Sequence, residues 1–520
     1  MRARPVALPA FPASPIDLVR AVGVAAALLV LAVFVAWPVA AVAVRGLLVP
    51  AAWPWRVALD TLMVALAATL TASVPALLIA LVLTRVDMTG RTMIWKTFRL
   101  GALIPPFIMP LALLASMPSW RGLTAIAIGQ ALAFLPYAVV LMVRGLTGAP
   151  AELEQAAEVL GARRVTILRR VTLGLAGPGV ARAAVLVLGL CLADVTAPLL
   201  LGGDARVLTT FIVGTAALDP AGAAPAAVTL MVLAFVMARA TGSWRPGVDD
   251  RVVLRHPERP FPPALRRLLG VAVWSVAAGF AGFWAMIPLG SLLRVGTSGV
   301  TLEHWAVVAT PAAGVALRNS VLLGLGVAVA GTALALVTAW VVERQRARVG
   351  RTVALLVRLP VAVPGVVAGV GYLLVFATPT SAAGTLLALV AVVACWELPV
   401  TSRAARDLLS RSDRSVEDAA ISLGAGDLTT FTRIVAPTLR PAAGWIFGYL
   451  LAAGVLAVGT VIVLGPAGRA LGALTMLTLA AAGATGTACA VATVLLALAG
   501  GAALLGRAIA GRQRGPMSLA

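Results

Sequence analysis

PAELEQAAEVLGARRVTILRRVTLGLAGPGV, from Pro150 to Val180, has a counterpart in SVEDAAISLGAGDLTTFTRIVAPTLRPAA, from Ser415 to Ala443. In each, an acidic residue and two alanines precede a Leu-Gly-Ala, and an amphipathic stretch follows. The matched positions are Glu154, Ala156, Ala157 and Gly161 in the first, and Glu417, Ala419, Ala420 and Gly424 in the second. A spacing of 263 residues separates Glu154 from Glu417 and Gly161 from Gly424, and equally Pro178 from Pro441 and Leu135-Pro136 from Leu398-Pro399. Further upstream, Pro105 answers Pro364 and Arg85 answers Arg344 at a spacing of 259, so the halves differ by four residues in length between Pro110 and Pro136. The chain is an internal repeat.

Each repeated stretch lies between long apolar runs. Of the 520 residues, 61% are hydrophobic and 12% charged, and the mean hydropathy is +1.01. A soluble exterior cannot hide that much apolar surface. Lipid can solvate it, provided that each segment satisfies its own backbone hydrogen bonds as a helix. About 20 apolar residues cross the hydrocarbon core. Such runs lie near residues 20–44, 58–84, 99–118, 123–143, 180–201 and 222–241, then near 269–292, 317–342, 353–376, 382–402, 443–465 and 484–506. The fold class expected is an all-α polytopic membrane protein with about twelve transmembrane helices in two parallel six-helix repeats. Six is even, so both halves enter from the same side, and an axis along the membrane normal relates them. The first half is read at 1–242 and the second at 267–520. A proline- and arginine-rich cytoplasmic linker at 243–266 joins them. The first span is too long for the core of a removed signal and reads as an uncleaved helix.

The net charge of +21 is a matter of topology and not of nucleic-acid binding. Arginines cluster in alternate loops, at Arg163, Arg164, Arg169 and Arg170, from Arg245 to Arg267, and at Arg344, Arg346, Arg348 and Arg351. The intervening loops carry few, such as Arg121, Arg206 and Arg469. The positive-inside rule makes the rich loops and both termini cytoplasmic. Cys191, Cys395 and Cys489 lie far apart within spans and read as small buried apolar residues; with His256 and His304 they offer no metal-ligand spacing.

The two repeated cytoplasmic stretches favour a short helix. Glu154 and Glu417 suit its positive N-terminal end, the alanines favour helix and leave a low-profile face, and Gly161 and Gly424 sit where a left-handed cap would end it. Pro437 is read as resetting the chain before the next span, with Gly174 at the matching position of the first half and a looser turn there. These stretches resemble the EAA loops of binding-protein-dependent ABC importer permeases of the type I class, whose pattern is E-A-A, three residues, a glycine and a distal proline. Glu417, Ala419, Ala420, Gly424 and Pro437 match it. The first loop departs only at Gly174.

The resemblance implies a mechanism and partners. Each loop is expected to form a helix that couples to one of two copies of a cytoplasmic ATP-binding subunit, and an external binding protein is expected to deliver substrate. Closure of the ATPases would switch the bundle between inward- and outward-open states. The chain itself is read as no enzyme and as holding no cofactor. Its single lysine, Lys96, sits in IWKT without the glycines of a phosphate-binding loop, so ATP would be bound by the partner. The expected location is the cell (inner or plasma) membrane. A secondary transporter is the rival from another class, but it would need coupling-ion sites in the bundle and has no use for a repeated EAA-like loop. A membrane-embedded enzyme ranks last for want of a catalytic cluster.

Fusion of two halves resembles the permeases that serve ferric iron, thiamine or phosphonate receptors. Leu192 to Ala216 is similar to the iron(III) type, and Val455 to Ala492 to the iron(III) and phosphonate types. Ferric iron is the expected substrate, with 2-aminoethylphosphonate and thiamine behind it, and no substrate-contacting residue is named. Two acidic residues fall within spans, where a charge is expensive. Packing and pathway lining stand level for Asp194; packing near a helix end is preferred for Glu397. Pro105, Pro106, Pro110 and Pro364 are expected to break equivalent spans, as a gate or as plain kinks.

Overall fold

The computed structural model describes residues 15–48, 53–147, 151–240, 262–293, 299–344, 347–376, 386–410, 414–465 and 470–511. The linker read at 243–266 lies outside them up to residue 261, as do the C-terminal basic residues Arg512 and Arg514. Among the described residues the chain is helical, with one isolated bridge between Leu293 and Val300.

The first half opens with α1 (Pro15–Leu31) and α2 (Trp37–Leu48), joined through a π turn into one run, and continues with α3 (Trp55–Arg85). An amphipathic α4 (Arg91–Gly101) and a nine-residue α5 (Ile108–Ser116) follow, then α6 (Leu123–Thr147). The repeated stretch supplies α7 (Ala151–Val159) and α8 (Arg164–Thr166), and the half closes with α9 (Leu173–Ala193), α10 (Thr196–Leu201), α11 (Leu208–Ala216) and α12 (Ala224–Ala240).

The second half runs in the same order. After α13 (Pro263–Gly290) and a short α14 (Glu303–Val308) come α15 (Pro311–Arg344), α16 (Ala347–Arg358), α17 (Gly365–Phe376), α18 (Leu386–Trp396) and α19 (Leu398–Leu409). Its repeated stretch forms α20 (Arg414–Ser422) and α21 (Asp427–Thr430), followed by α22 (Ala436–Val455), α23 (Gly472–Ala481) and α24 (Thr485–Ala510).

Every one of the twelve expected apolar segments holds a helix, but not every segment is one straight span. Seven helical runs are long and apolar enough to cross a bilayer alone: Val22–Leu48, Trp55–Arg85, Leu123–Thr147, Arg164–Ala193, Pro263–Gly290, Pro311–Arg344 and Thr485–Ala510. Two more are bent pairs. Arg348–Ala362 meets Gly365–Phe376 at 111°, and Leu386–Trp396 meets Leu398–Leu409 at 55°. The segments at 99–118 and 353–376 differ from the sequence reading for one reason. Their first parts, α4 and α16, are amphipathic and arginine-bearing, and Pro105-Pro106 and Pro360 with Pro364 then break the chain before the apolar parts, α5 and α17, begin. Pro110 lies inside α5 and breaks nothing. The remaining two segments hold α12, of 17 residues, and α22, whose first turns carry Arg440 and Pro441.

Small residues set the helix spacing, as they must where lipid offers no hydrophobic drive between helices. Between α22 and α24 a Cβ on Gly448 would stand 2.7 Å from the Cα of Gly506, and one on Gly506 2.6 Å from that of Gly448. Backbone meets backbone there, and no side chain fits.

The two halves are interlocked. The first helical run, α1 and α2, packs on α15, α16 and α17 of the second half, while α13 packs on α3, α4 and α5 of the first. Aromatic residues fasten both crossings. Phe34 stacks near Tyr372 and Phe376, and Tyr372 donates to the Phe34 carbonyl at 2.9 Å. On the other side Phe280 of α13 lies against Phe98 of α4, and Trp274 donates to the Thr89 carbonyl. One buried core cluster contains residues of both halves, among them Leu111, Phe280, Val366 and Met476. The three cysteines are all free and buried.

Candidate functional site

The short helices α7 and α20 have the same construction. Each ends by a backbone pattern in which the residue after the glycine reaches back five positions, closing the last turn. Ala162 N–H donates to the Ala157 carbonyl at 3.0 Å, and Ala425 N–H to that of Ala420 at 2.9 Å. The glycines between take the left-handed conformation this requires, at φ +80° for Gly161 and +84° for Gly424, and a Cβ on either would meet nothing of this chain within 4 Å. Both glycines are exposed, as are Ala156 and Ala419, while Ala157 and Ala420 are half-buried. The leucine before each glycine stands out from the surface: Leu160 is 86% exposed and Leu423 88%.

What fastens these helices was not read from the sequence. Glu154 accepts from Arg85, the last residue of α3, at 2.7 Å, and from Thr172 Oγ1 at 2.9 Å. Arg85 Nη2 also donates to the Leu146 carbonyl at the end of α6. In the second half Glu417 receives both arms of Arg344, the last residue of α15: Nη2 to Oε1 at 2.7 Å and Nε to Oε2 at 3.1 Å. Such a bidentate pair fixes direction as well as distance. The signal was present, since Arg85 and Arg344 answer one another in the repeat, but they had been taken for topology charges only.

After each glycine the chain enters helix without a turn. Arg164–Ala193 is one helical run containing a π turn at Ile167–Thr172, and the second half has its own π turn at Phe431–Val435 before α22. Pro437 therefore does not reset the chain. It sits in the first turn of α22, directly after the widened π turn, where its missing N–H costs least. Gly174 holds the matching place after the first π turn, and the looser turn expected there is absent.

Asp194 ends α9 and is buried. Its Oδ1 accepts from Thr196 N–H at 3.0 Å and Thr196 Oγ1 at 2.7 Å, and its Oδ2 from Ala197 N–H at 3.2 Å and Gln130 Nε2 at 3.3 Å. Its carbonyl accepts from Thr209 Oγ1. Both carboxylate oxygens are thus spent on the start of α10 and on α6, which favours packing over lining. Replacing Asp194 with Ala is expected to remove about 1–2 kcal/mol, as for a lost helix cap. Thermal unfolding of the purified chain should show a lower midpoint, with uptake per folded molecule unchanged. Lost uptake at an unchanged midpoint would restore the lining role.

Glu397 marks the bend between α18 and α19, and Tyr449 of α22 donates to its Oε2 at 2.6 Å. Among the described residues no group of three or more His, Cys, Asp or Glu is placed to hold a metal ion.

Residues 49–248 match the family described as the inner membrane component of binding-protein-dependent transport systems. The chain is 28% identical over 340 residues to a ferric transport system permease protein, FbpB, of Actinobacillus pleuropneumoniae, covering 62% of this chain and 49% of that protein. A putative ferric transport system permease protein of Haemophilus influenzae is likewise 28% identical, over 62% of this chain and 53% of its own length. A probable sulfate transport system permease protein, cysT, of Nephroselmis olivacea is 26% identical over 180 residues, 32% of this chain and 63% of that one. The chain spans about half the length of the ferric relatives. These matches bear out the resemblance read from the repeated loops: the chain is a multi-pass, all-helical protein similar to the permeases of binding-protein-dependent ABC importers.

Proposed function

We propose that this permease carries both halves of an import pathway on one chain, residues 1–242 and 267–520 joined by the segment 243–266, and that ferric iron is its substrate. The observation that carries the reading is the duplicated short helix. Two copies end in a left-handed glycine beside an exposed leucine, and each is tied by an Arg–Glu pair to the end of a membrane-spanning helix. A helix held so, with its outer face bare, suits docking into a cleft of a partner. The family points to an ATP-hydrolysing subunit as that partner, one copy for each helix, and to a soluble receptor on the opposite side.

The coupling residues are Glu154, Ala156, Ala157 and Gly161 in the first loop, and Glu417, Ala419, Ala420, Gly424 and Pro437 in the second. Motion imposed on α7 passes along the unbroken run Arg164–Ala193 to the break at Asp194, and motion on α20 passes to α22. The π turn at the head of each run is a place where a helix yields without losing its hydrogen bonds. Docking energy that differs between the ATP-bound and free partner then shifts the bundle between its two states. The positive-inside distribution favours an inner or plasma membrane with the arginine-rich loops and both termini in the cytoplasm. Support for ferric iron comes from the two ferric relatives and from the stretches Leu192–Ala216 and Val455–Ala492. The phosphonate and thiamine readings rest on the second stretch and on the fusion of the halves alone.

The test is retention of an ATPase subunit by the detergent-solubilised chain. Substituting Phe at both Gly161 and Gly424 costs this chain little beyond the backbone strain of the left-handed residue, about 1 kcal/mol each, because open space surrounds both positions. The double variant is expected to reach the membrane and to retain the ATPase at least about tenfold less well, a change of about 1.4 kcal/mol or more in docking. Unchanged retention and uptake would end the docking reading. Isolation of the native chain free of any ATPase, with ion-driven uptake into liposomes by the chain alone, would make it a secondary transporter.

A further inference from the structure

A cavity of about 480 Å³ opens among α15, α16 and α19 of the second half. Charged side chains form much of its wall: Glu343 from α15, Arg358 from the end of α16, and Arg403, Arg406 and Asp407 from α19. The arginines outnumber the carboxylates, so the wall is net positive, and arginine keeps its charge at any physiological pH. Arg406 Nε is committed to Glu343 Oε1 at 2.8 Å, and Arg403 Nε stands 3.8 Å from Asp407 Oδ2. Arg358 forms no ion pair among the described residues. It is exposed, while Arg403 and Arg406 are half-buried, so an anion arriving from outside would meet Arg358 first.

The internal repeat shows what else this place can hold. At the spacings of 259 and 263, Ala354 answers Trp95, Val357 answers Phe98, and Arg403 and Arg406 answer Val140 and Val143. In the first half these side chains pack together in one core where α4 meets α6. Among the arginines of the wall, Arg358 alone has a basic counterpart, Arg99, whose guanidinium lies over the Trp95 ring, 5.7 Å from its centre. The second half thus removes two aromatic rings and sets arginines where valines would close the gap. That exchange forfeits apolar burial and gathers like charges, a cost that a bound anion offsets.

The position of the cavity identifies the source of the anion. The amphipathic α16 turns by 111° into the apolar α17, the arrangement of a helix lying in the membrane interface before a span. Val361, at that turn, lines the cavity and is 61% exposed, so the polar wall continues into an apolar rim. We propose that the cavity is a phosphate-binding site, filled from the membrane by the headgroup of an anionic phospholipid. Arg358 and Arg403 grip the phosphate oxygens, which planar guanidinium groups match in pairs, and an acyl chain covers Val361. Basic pockets between spans at the membrane surface take such headgroups. Glu343 immediately precedes Arg344, which holds Glu417, so a headgroup bridging α16 and α19 braces the joint that carries α20.

Three probes, each titrated into the full chain in mild detergent, separate the sources: anionic dioleoylphosphatidylglycerol, zwitterionic dioleoylphosphatidylcholine and sodium phosphate. Native mass spectrometry counts bound lipid on folded molecules, and the unfolding midpoint is followed in parallel. The native chain is expected to retain the anionic lipid at least about tenfold more tightly than the zwitterionic one, and to respond little to free phosphate. Arg358→Gln and Arg403→Gln should each lower that affinity about fivefold. Arg348→Gln, at an exposed position of α16 outside the cavity, should leave it unchanged. Ala354→Trp installs the ring of the first half without touching a charge, and should expel the anionic lipid by filling its place. Equal retention of the two lipids by the native chain, or retention indifferent to Arg358→Gln, Arg403→Gln and Ala354→Trp, overturns the site. Stabilisation by sodium phosphate that depends on the same residues, with none by the anionic lipid, keeps a phosphate site and overturns its membrane source.

Discussion

Arg344→Ala is expected to reduce uptake by the assembled importer by about a hundredfold while leaving the spans inserted. The pair it breaks is bidentate, and each side chain is only 11% exposed. Removing one partner strands a buried carboxylate, which costs about 3 kcal/mol or more, and α20 loses its bidentate tie to the end of α15. Its docked position would cease to be the favoured one, and a lever without a fixed fulcrum transmits little. Arg85→Ala should be milder, about tenfold or less. That pair is single-armed, its side chains are 21% and 19% exposed, and Glu154 keeps the hydroxyl of Thr172, so solvent and a second donor soften the loss. Hydrogen exchange of the amides in α7 and α20 should rank the two variants in the same order. Exchanging the charges, Arg344→Glu with Glu417→Arg, should recover part of the loss if the pair itself matters. Uptake by Arg344→Ala at the native level would show that the ion pair plays no part in coupling.

How much of this could be read beforehand depends on what kind of physics each feature obeys. The repeat, the apolar runs and the glycine ends of α7 and α20 were legible because each demands particular residue types: lipid demands apolar ones, a left-handed cap demands glycine. The breaks at Pro105-Pro106 and Pro364 were legible as breaks, but not the 111° turn between α16 and α17, because direction depends on what the freed carbonyls find nearby. The Leu-Pro dipeptide makes the point sharply. At Leu135-Pro136 α6 runs straight through it, and at Leu398-Pro399 the chain bends. The same local sequence yields two outcomes, and tertiary packing chooses.

The other omissions have a common origin. Arg85 and Arg344 looked like topology charges because side-chain pairing across 69 and 73 residues leaves no local periodicity. The π turns before α9 and α22 have no propensity signature, and Pro437 suggested a reset of the chain where the structure has a widened helix. Asp194 stood undecided because only the neighbours it caps, Thr196 and Ala197, could show that its charge was already satisfied.

Severing the chain within the segment 243–261 should separate two questions that the fused polypeptide conceals: whether the halves need each other, and whether they need to be joined. The first half expressed alone is expected to give no transport and to accumulate poorly. Without α13, the aromatic faces of α4 lose Phe280, which lies 5.8 Å from Phe98, and α2 loses α17, against which it packs. Those surfaces belong to one shared core, which would lose every residue the second half contributes to it, among them Phe280, Val366 and Met476. Co-expression of the first half with residues 262–520 should restore both accumulation and uptake, and the fragments should purify together. The crossings are reciprocal: α1 and α2 reach into the second half, and α13 reaches into the first, so neither fragment can fill its own gap. Uptake by the first half alone would overturn the view that both repeats build a single pathway. Failure of the co-expressed halves to associate would mean that covalent linkage, and not the aromatic crossings around Tyr372 and Phe280, holds the two repeats in register.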